Sequence, residues 1–321
     1  MRRLLLITMW VSWISASLYA QDYPLKAVRV IVAFSAGAAT DLMGRTVAQR
    51  LTEVFGQNFI VENRAASAGG TVGTASVAKA PADGYTLLMA NNSTHAVAPH
   101  IYKNPGYDAL RDFAPVALAG WIPLVMTAHP SLPITDAKGL IALARQRPGQ
   151  LLFSSSGTGT TLHLAGELFK AMANIQITHI PYKGASLGVI DLVGGQVQLA
   201  WISMPTALPF VKQKRLRALG VASAKRSALL PEVPTIAEAA LPGYEVPNWV
   251  GLLAPAQTPV DIVNRLNTEV TRWQALPETQ QKMAAQGVDA SGGSPASFGE
   301  TIARGHALMG GIVKRSGIRL D

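Results

Sequence analysis

Short β-branched runs alternate with stretches of helical spacing along most of the chain. Eight runs read as strands: VRVIVAF (28–34), NFIVEN (58–63), YTLLMAN (85–91), LLFSSS (151–156), ITHIPY (177–182), VQLAWIS (197–203), LRALGVAS (216–223) and WVGLLAP (249–255). Strands of this length separated by helical patterns predict parallel βαβ units. Met43, Val47, Leu51 and Val54 recur at four, four and three residues, and Leu164, Leu168 and Met172 recur at four, so both sets predict core-facing helix stripes. Thr258 followed by Pro259 predicts a helix start with Thr at the N-cap and Pro at N1. Ile262, Leu266, Val270 and Trp273 supply that helix's stripe, and Pro277 and Pro295 open two more helices. So many strands in one chain suit two sheets better than one.

A length of 321 residues with 49% hydrophobic content can fill two lobes or one large α/β domain. At the N-terminus, Arg2 and Arg3 precede an apolar run from Leu4 to Ala16 and then small residues to Ala20. That order predicts a cleavable signal peptide over 1–20 and a periplasmic mature chain. Cleavage after Ser17 is the alternative, because Leu18 would stand three residues before a cut at Ala20. An uncleaved anchor needs about 18 or more apolar residues, and Ser12, Ser15 and Ser17 interrupt the run. The chain has no cysteine, which excludes disulfides, thiol nucleophiles and cysteine-based metal sites. Losing Arg2 and Arg3 lowers the formal charge from +9 by two, and the remaining excess would steer anions toward the protein. The densest basic cluster, KQKRLR at 212–217, has no interleaved aromatics and lies where a helix gives way to a strand. It reads as a solvated helix end, and no nucleic-acid partner is expected.

Two strand-to-helix junctions carry the candidate chemistry: FSAGAATD (34–41) and SSSGTGTTLH (154–163). Each places glycine and small polar residues where a chain enters a helix N-terminus. Unsatisfied amides and the positive end of the helix dipole bind an oxyanion there without a charged side chain. Helix capping alone would explain either loop; two at corresponding points of successive βαβ units favour a shared anion, most simply a carboxylate. Residue identity removes sharper readings. Gly159 is followed by Thr160 and Thr161 rather than by the Lys of a P-loop, GTGTTL ends in Leu162 rather than in the third glycine of a dinucleotide site, and Phe153 replaces the first glycine of a nucleophile elbow. None of the six histidines forms a metal-binding spacing, and His163 with Glu167 reads as a helix-surface pair. No cofactor, metal site or catalytic residue is expected.

From about residue 21 onward the chain resembles the periplasmic receptors of tripartite tricarboxylate transporters, the Bordetella uptake gene (Bug) family. The stretches that carry the resemblance are YPLKAVRVIVAFSAGAATDLMGR, VENRAASAGGTVGTASVAKAPADGYTLL, FSSSGTGTTLHLAGELF, IPYKGASLGVIDLVGGQVQ, LRALGVASAKRSALLPEVPTIAEA and PGYEVPNWVGLLAPAQTPVDIVNRLN. The resemblance implies an α/β, two-lobed periplasmic-binding-protein fold of type II, with lobe 1 at 21–124 plus 247–321, lobe 2 at 125–246 and a ligand between them. It implies ligand contacts from Ser35, Ala36, Gly37, Ala38, Thr40 and Asp41 on one side. Opposite stand Ser154, Ser156, Gly157, Thr158, Thr160 and Thr161, with His163 and Tyr182 as neighbours. Two positions depart from the family pattern: Ala38 replaces a second glycine, and Ile202 stands where an Asp is common, which implies a more apolar ligand. The resulting expectation is a monomeric, non-catalytic receptor that delivers a small organic carboxylate to an inner-membrane permease or signals its presence. A secreted enzyme on the same scaffold and a diverged protein-interaction module remain the alternatives.

Overall fold

The structure is a computed structural model that describes residues 23–65 and 68–316; the signal peptide expected at 1–20 lies outside the described residues. The strands are β1 (Val28–Val32), β2 (Phe59–Asn63), β3 (Thr86–Asn91), β4 (Phe113–Trp121), β5 (Leu124–Ala128), β6 (Leu152–Ser155), β7 (Thr178–Pro181), β8 (Leu199–Ser203), β9 (Arg217–Val221) and β10 (Trp249–Pro255). The helices are α1 (Ala39–Phe55), α2 (Thr71–Ala78), α3 (Ala98–Ile101), α4 (Ala137–Gln146), α5 (Thr161–Ala173), α6 (Ala185–Val193), α7 (Met204–Lys212), α8 (Ile236–Ala239), α9 (Val260–Gln274), α10 (Pro277–Ala285) and α11 (Pro295–Ser316), and a π-helical turn spans Ser93–Val97.

Every strand read from the sequence is present. Two were not read, β4 and β5, because Pro115, Gly120 and Pro123 interrupt an alanine-rich run without regular alternation. β4 lies at a sheet edge, where a proline without an N–H can be accommodated. The strands form two five-stranded sheets, ordered β2-β1-β3-β10-β4 and β7-β6-β8-β5-β9. In each, the fourth strand alone runs against the others: β10 in the first sheet, β5 in the second. Those are the strands entered as the chain crosses between lobes, over residues 122–123 and 222–248.

The helix stripes pack largely as their spacing predicts. Met43, Val47 and Leu51 are buried, whereas Val54 and Met172, in the last turns of α1 and α5, are 37% and 38% exposed. Thr258 does not cap α9. Pro259 is the N-cap, and the Thr258 hydroxyl instead donates to the carbonyl of Pro255 at 2.7 Å. Pro277 and Pro295 open α10 and α11 as expected. The sequence division into lobes and the division of the core do not coincide. Ala96, Val97 and Ile101, with Met309, Ile312 and Val313 of α11, belong to the same apolar cluster as Phe153, Leu164 and Trp201 of the second lobe.

Candidate functional site

The starts of α1 and α5 face one another across a cavity of about 570 Å³ between the lobes. Ser35, Ala38, Ala39 and Thr40 line it from one junction; Ser156, Gly157, Thr158 and Leu162 line it from the other. Ala38 is the N-cap of α1 and has no side chain with which to cap. The first amide to bond back is that of Leu42, to the Ala38 carbonyl at 3.0 Å. The Ala39 and Thr40 amides therefore have no partner among the described residues, as the geometry of a helix start dictates. Asn91 donates to the Thr40 hydroxyl at 2.8 Å, which leaves the hydroxyl proton free to be donated.

Other members of the first turn build it without lining the cavity. The Gly37 amide, expected to meet the ligand, donates instead to Asp41 Oδ2 at 2.8 Å. Asp41 is 1% exposed and also receives Arg45 and Asn63. Burial would raise its pKa, but the hydrogen bonds from Arg45, the Gly37 amide and Asn63 together hold it below the usual carboxylate range. Ala36 likewise stays outside the lining. The departure at Ala38 costs the turn nothing, since its φ of −69° suits any residue.

The second turn is tied down as tightly. Thr160 caps α5, its hydroxyl accepting from the His163 amide and donating to the Gly157 carbonyl at 2.8 Å. The Gly159 amide donates to His163 Nδ1 at 3.3 Å, and the Thr161 amide donates to Ser93 Oγ at 2.9 Å. Ser154 donates to the Gly188 carbonyl at 3.3 Å. Ser154, Thr160, Thr161 and His163 thus shape the turn from outside the cavity, while the Ser156, Thr158 and Leu162 amides have no partner among the described residues. Gly157 and Gly159 adopt φ of 130° and 80°, which only glycine takes without strain.

His163 is not on the helix surface. It is 5% exposed, with Nε2 3.9 Å from Glu167 and its ring 4.0 Å from that of His179. Burial first, then the neighbouring positive groups, pushes His163 down to about 3 and His179 down to about 4, so both rings are neutral. Tyr182 lines the cavity and donates to Asp191 at 2.6 Å; burial and then that carboxylate push its pKa up to about 12. Ile202 does not reach the cavity. It is 2% exposed in an apolar cluster with Val125, Val189 and Met204, so its departure from the family pattern supports no more apolar ligand.

Among the polar lining residues that escaped the sequence reading are Asn91, Ser93, Lys183, Ser203 and Asn248. Lys183 is the one charged side chain in the lining among the described residues, and it stands beside Tyr182 in the quoted IPYKG stretch, where it could have been picked. Gly184 follows at φ 121°; a Cβ there would lie 2.8 Å from Ser35 Oγ of the opposite lobe. The lobes therefore touch in the cavity lining. Among the described residues no cluster of His, Asp or Glu could hold a metal ion, and no helix is long and apolar enough to cross a membrane.

The model for the tripartite tricarboxylate transporter family receptor matches residues 43–318. The chain belongs to this receptor family. Protein BugT of Bordetella pertussis is 35% identical to this receptor over 308 residues, covering 96% of this chain and 94% of BugT. Among solved structures, R. palustris Rpa4515 with adipate is 37% identical at a TM-score of 0.89, covering 92% of this chain and 99% of its own. MatC (Rpa3494) from Rhodopseudomonas palustris with bound malate is 28% identical at a TM-score of 0.85, covering 91% and 100%. The two-lobed α/β receptor fold is common to this chain and both solved structures.

Proposed function

We propose that this receptor is a periplasmic, non-catalytic protein that closes on a small organic carboxylate and presents it to a membrane permease or a sensor. The observation that carries the reading is the set of free amides of Ala39, Thr40, Ser156, Thr158 and Leu162 around one cavity, contributed by opposite lobes. Adipate and malate in the two similar structures agree with it. In this reading the lobes comprise 21–124 plus 247–321 and 125–246, the leader is removed on export, and the receptor works as a monomer.

Magnitudes require both junctions. Micromolar affinity needs about 8 kcal/mol after an association cost of roughly 4 kcal/mol or more, and a hydrogen bond to a charged group nets about 1.5–3 kcal/mol. One turn supplies too little. Binding therefore favours the closed arrangement through contacts that exist only when the lobes meet.

The test begins with refolded mature protein, so that no co-purified ligand occupies the cavity. Thermal unfolding is then followed with a panel of mono-, di- and tricarboxylates, aromatic acids and acidic amino acids. An acid at about 100 times its Kd stabilises the fold by about 2.7 kcal/mol, and Gly157→Trp abolishes that shift. Recovery of the acid unchanged separates a receptor from an enzyme. If no acid shifts the transition, the carboxylate reading is overturned in favour of an interaction module.

A further inference from the structure

Of the buried side chains that leave polar atoms unmet, three cluster beside α11, away from the cavity. Asn92 and His95 are 0% exposed and Trp249 is 1% exposed. Asn92 Oδ1 and Nδ2, His95 Nε2 and Trp249 Nε1 have no hydrogen-bond partner among the described residues. Turning the Asn92 amide over exchanges its oxygen and nitrogen but meets neither. Two of them flank one point of α11, since a Cβ on Gly305 would lie 3.4 Å from Asn92 Oδ1 and 3.5 Å from Trp249 Nε1; His95 joins them through its ring, 6.1 Å from that of Trp249, and its carbonyl, 3.0 Å from His306 Nδ1 of the same helix.

Local hydrogen bonds fix the chemistry of the set. The Thr94 hydroxyl gives its proton to the Asn91 carbonyl at 2.9 Å, so toward His95 Nδ1, also 2.9 Å away, it accepts. The histidine proton is therefore on Nδ1 and Nε2 is a bare acceptor; burial, and then His306, hold this ring neutral by lowering its pKa to about 3. Two acceptors, His95 Nε2 and Asn92 Oδ1, thus accompany two donors, Asn92 Nδ2 and Trp249 Nε1. No net charge accompanies them, and burying an ion without a counter-charge is unfavourable. Two donors and two acceptors complement one water molecule, the usual partner of buried polar groups that the protein itself does not satisfy.

We propose that Asn92, His95 and Trp249 form a binding site for one long-lived water molecule beside Gly305, in the seam between the π-helical turn and α11. Gly305 is part of the site, because a methyl group there would sit in van der Waals contact with both Asn92 Oδ1 and Trp249 Nε1 and take up the space between them that the water would use. The placement gives the water a mechanical role. Asn92 lies between Asn91, which holds Thr40, and Ser93, which holds Thr161, so the bound water braces the segment of cavity wall that joins the lobes. π-Helical turns recur at such functional positions.

A crystal structure of the wild-type receptor at a resolution that shows ordered solvent is the first test. One solvent peak is expected within about 3.2 Å of at least three of the four atoms. Oxygen-17 relaxation dispersion then counts one slowly exchanging water fewer in Gly305→Ala and in Trp249→Phe, with Tm lower by roughly 2–4 °C or more. Absence of the peak, a direct bond between Asn92 and Trp249, or an unchanged count in a folded variant overturns the site. Carboxylate binding plays no part in these readouts, so they stand whatever the ligand panel gives.

Discussion

Ser93 Oγ and Thr161 meet twice across the lobes: the Thr161 amide donates to Ser93 Oγ at 2.9 Å, and the two hydroxyls are also 2.9 Å apart. Both residues are buried, one following β3 and the other opening α5. This tie fixes how the second helix start presents its free amides to the cavity.

Ser93→Ala removes the acceptor and leaves a buried amide unpaired. The expected cost is about 1–3 kcal/mol in urea unfolding, together with weaker binding of whichever acid stabilises the wild type. Unchanged affinity in a destabilised variant would show that the tie serves folding alone.

Ala39→Pro removes one cavity amide without removing a helix bond, since an N1 amide has no intrahelical partner. Ala38, with ψ 155°, already has the extended conformation that a following proline demands. Tm should be unchanged or slightly higher, while titration calorimetry shows Kd for the acid raised roughly ten- to hundredfold.

Asp41 is held below the usual carboxylate range in the folded state. Its contribution to stability is complete above the unfolded-state pKa of about 3.9 and is lost as pH falls through the lower folded value. The stability gap between wild type and Asp41→Asn, measured by urea unfolding, should therefore be constant above about pH 5 and shrink below about pH 4.

His95, His163 and His179 act with the opposite chemistry but the same direction. Their folded pKa values, about 3, 3 and 4, lie below an unfolded value near 6.5, so the unfolded chain binds protons first as pH drops. Stability falls from about pH 6.5 downward, by up to about 1.36 kcal/mol per pH unit for each histidine. Denaturation of His163→Asn across that range should give a slope shallower by about one proton.

All the strands but β4 and β5 were legible because alternation and β-branching are local properties, and the two junctions because glycine and hydroxyl residues crowd where a strand ends. What could not be read was which amides the protein itself consumes. Gly37 looks as available as Ala39 in the sequence, yet Asp41 folds back on it from the first turn of α1. Asn91 ends β3 and Ser93 follows it without any motif, and their partners Thr40 and Thr161 come from distant parts of the chain. Ile202 occupies a position whose chemistry matters only if its side chain turns toward the cavity, and strand register sends it into the core.

The reversed strand in the first sheet also makes that sheet depend on a distant part of the chain. Among the strands β4 pairs with β10 alone, and its last residue, Trp121, meets Trp249 and also bridges Asp289. A fragment ending near residue 124 therefore lacks the strand that stands between β3 and β4, and its Pro115-containing strand has nothing to pair with.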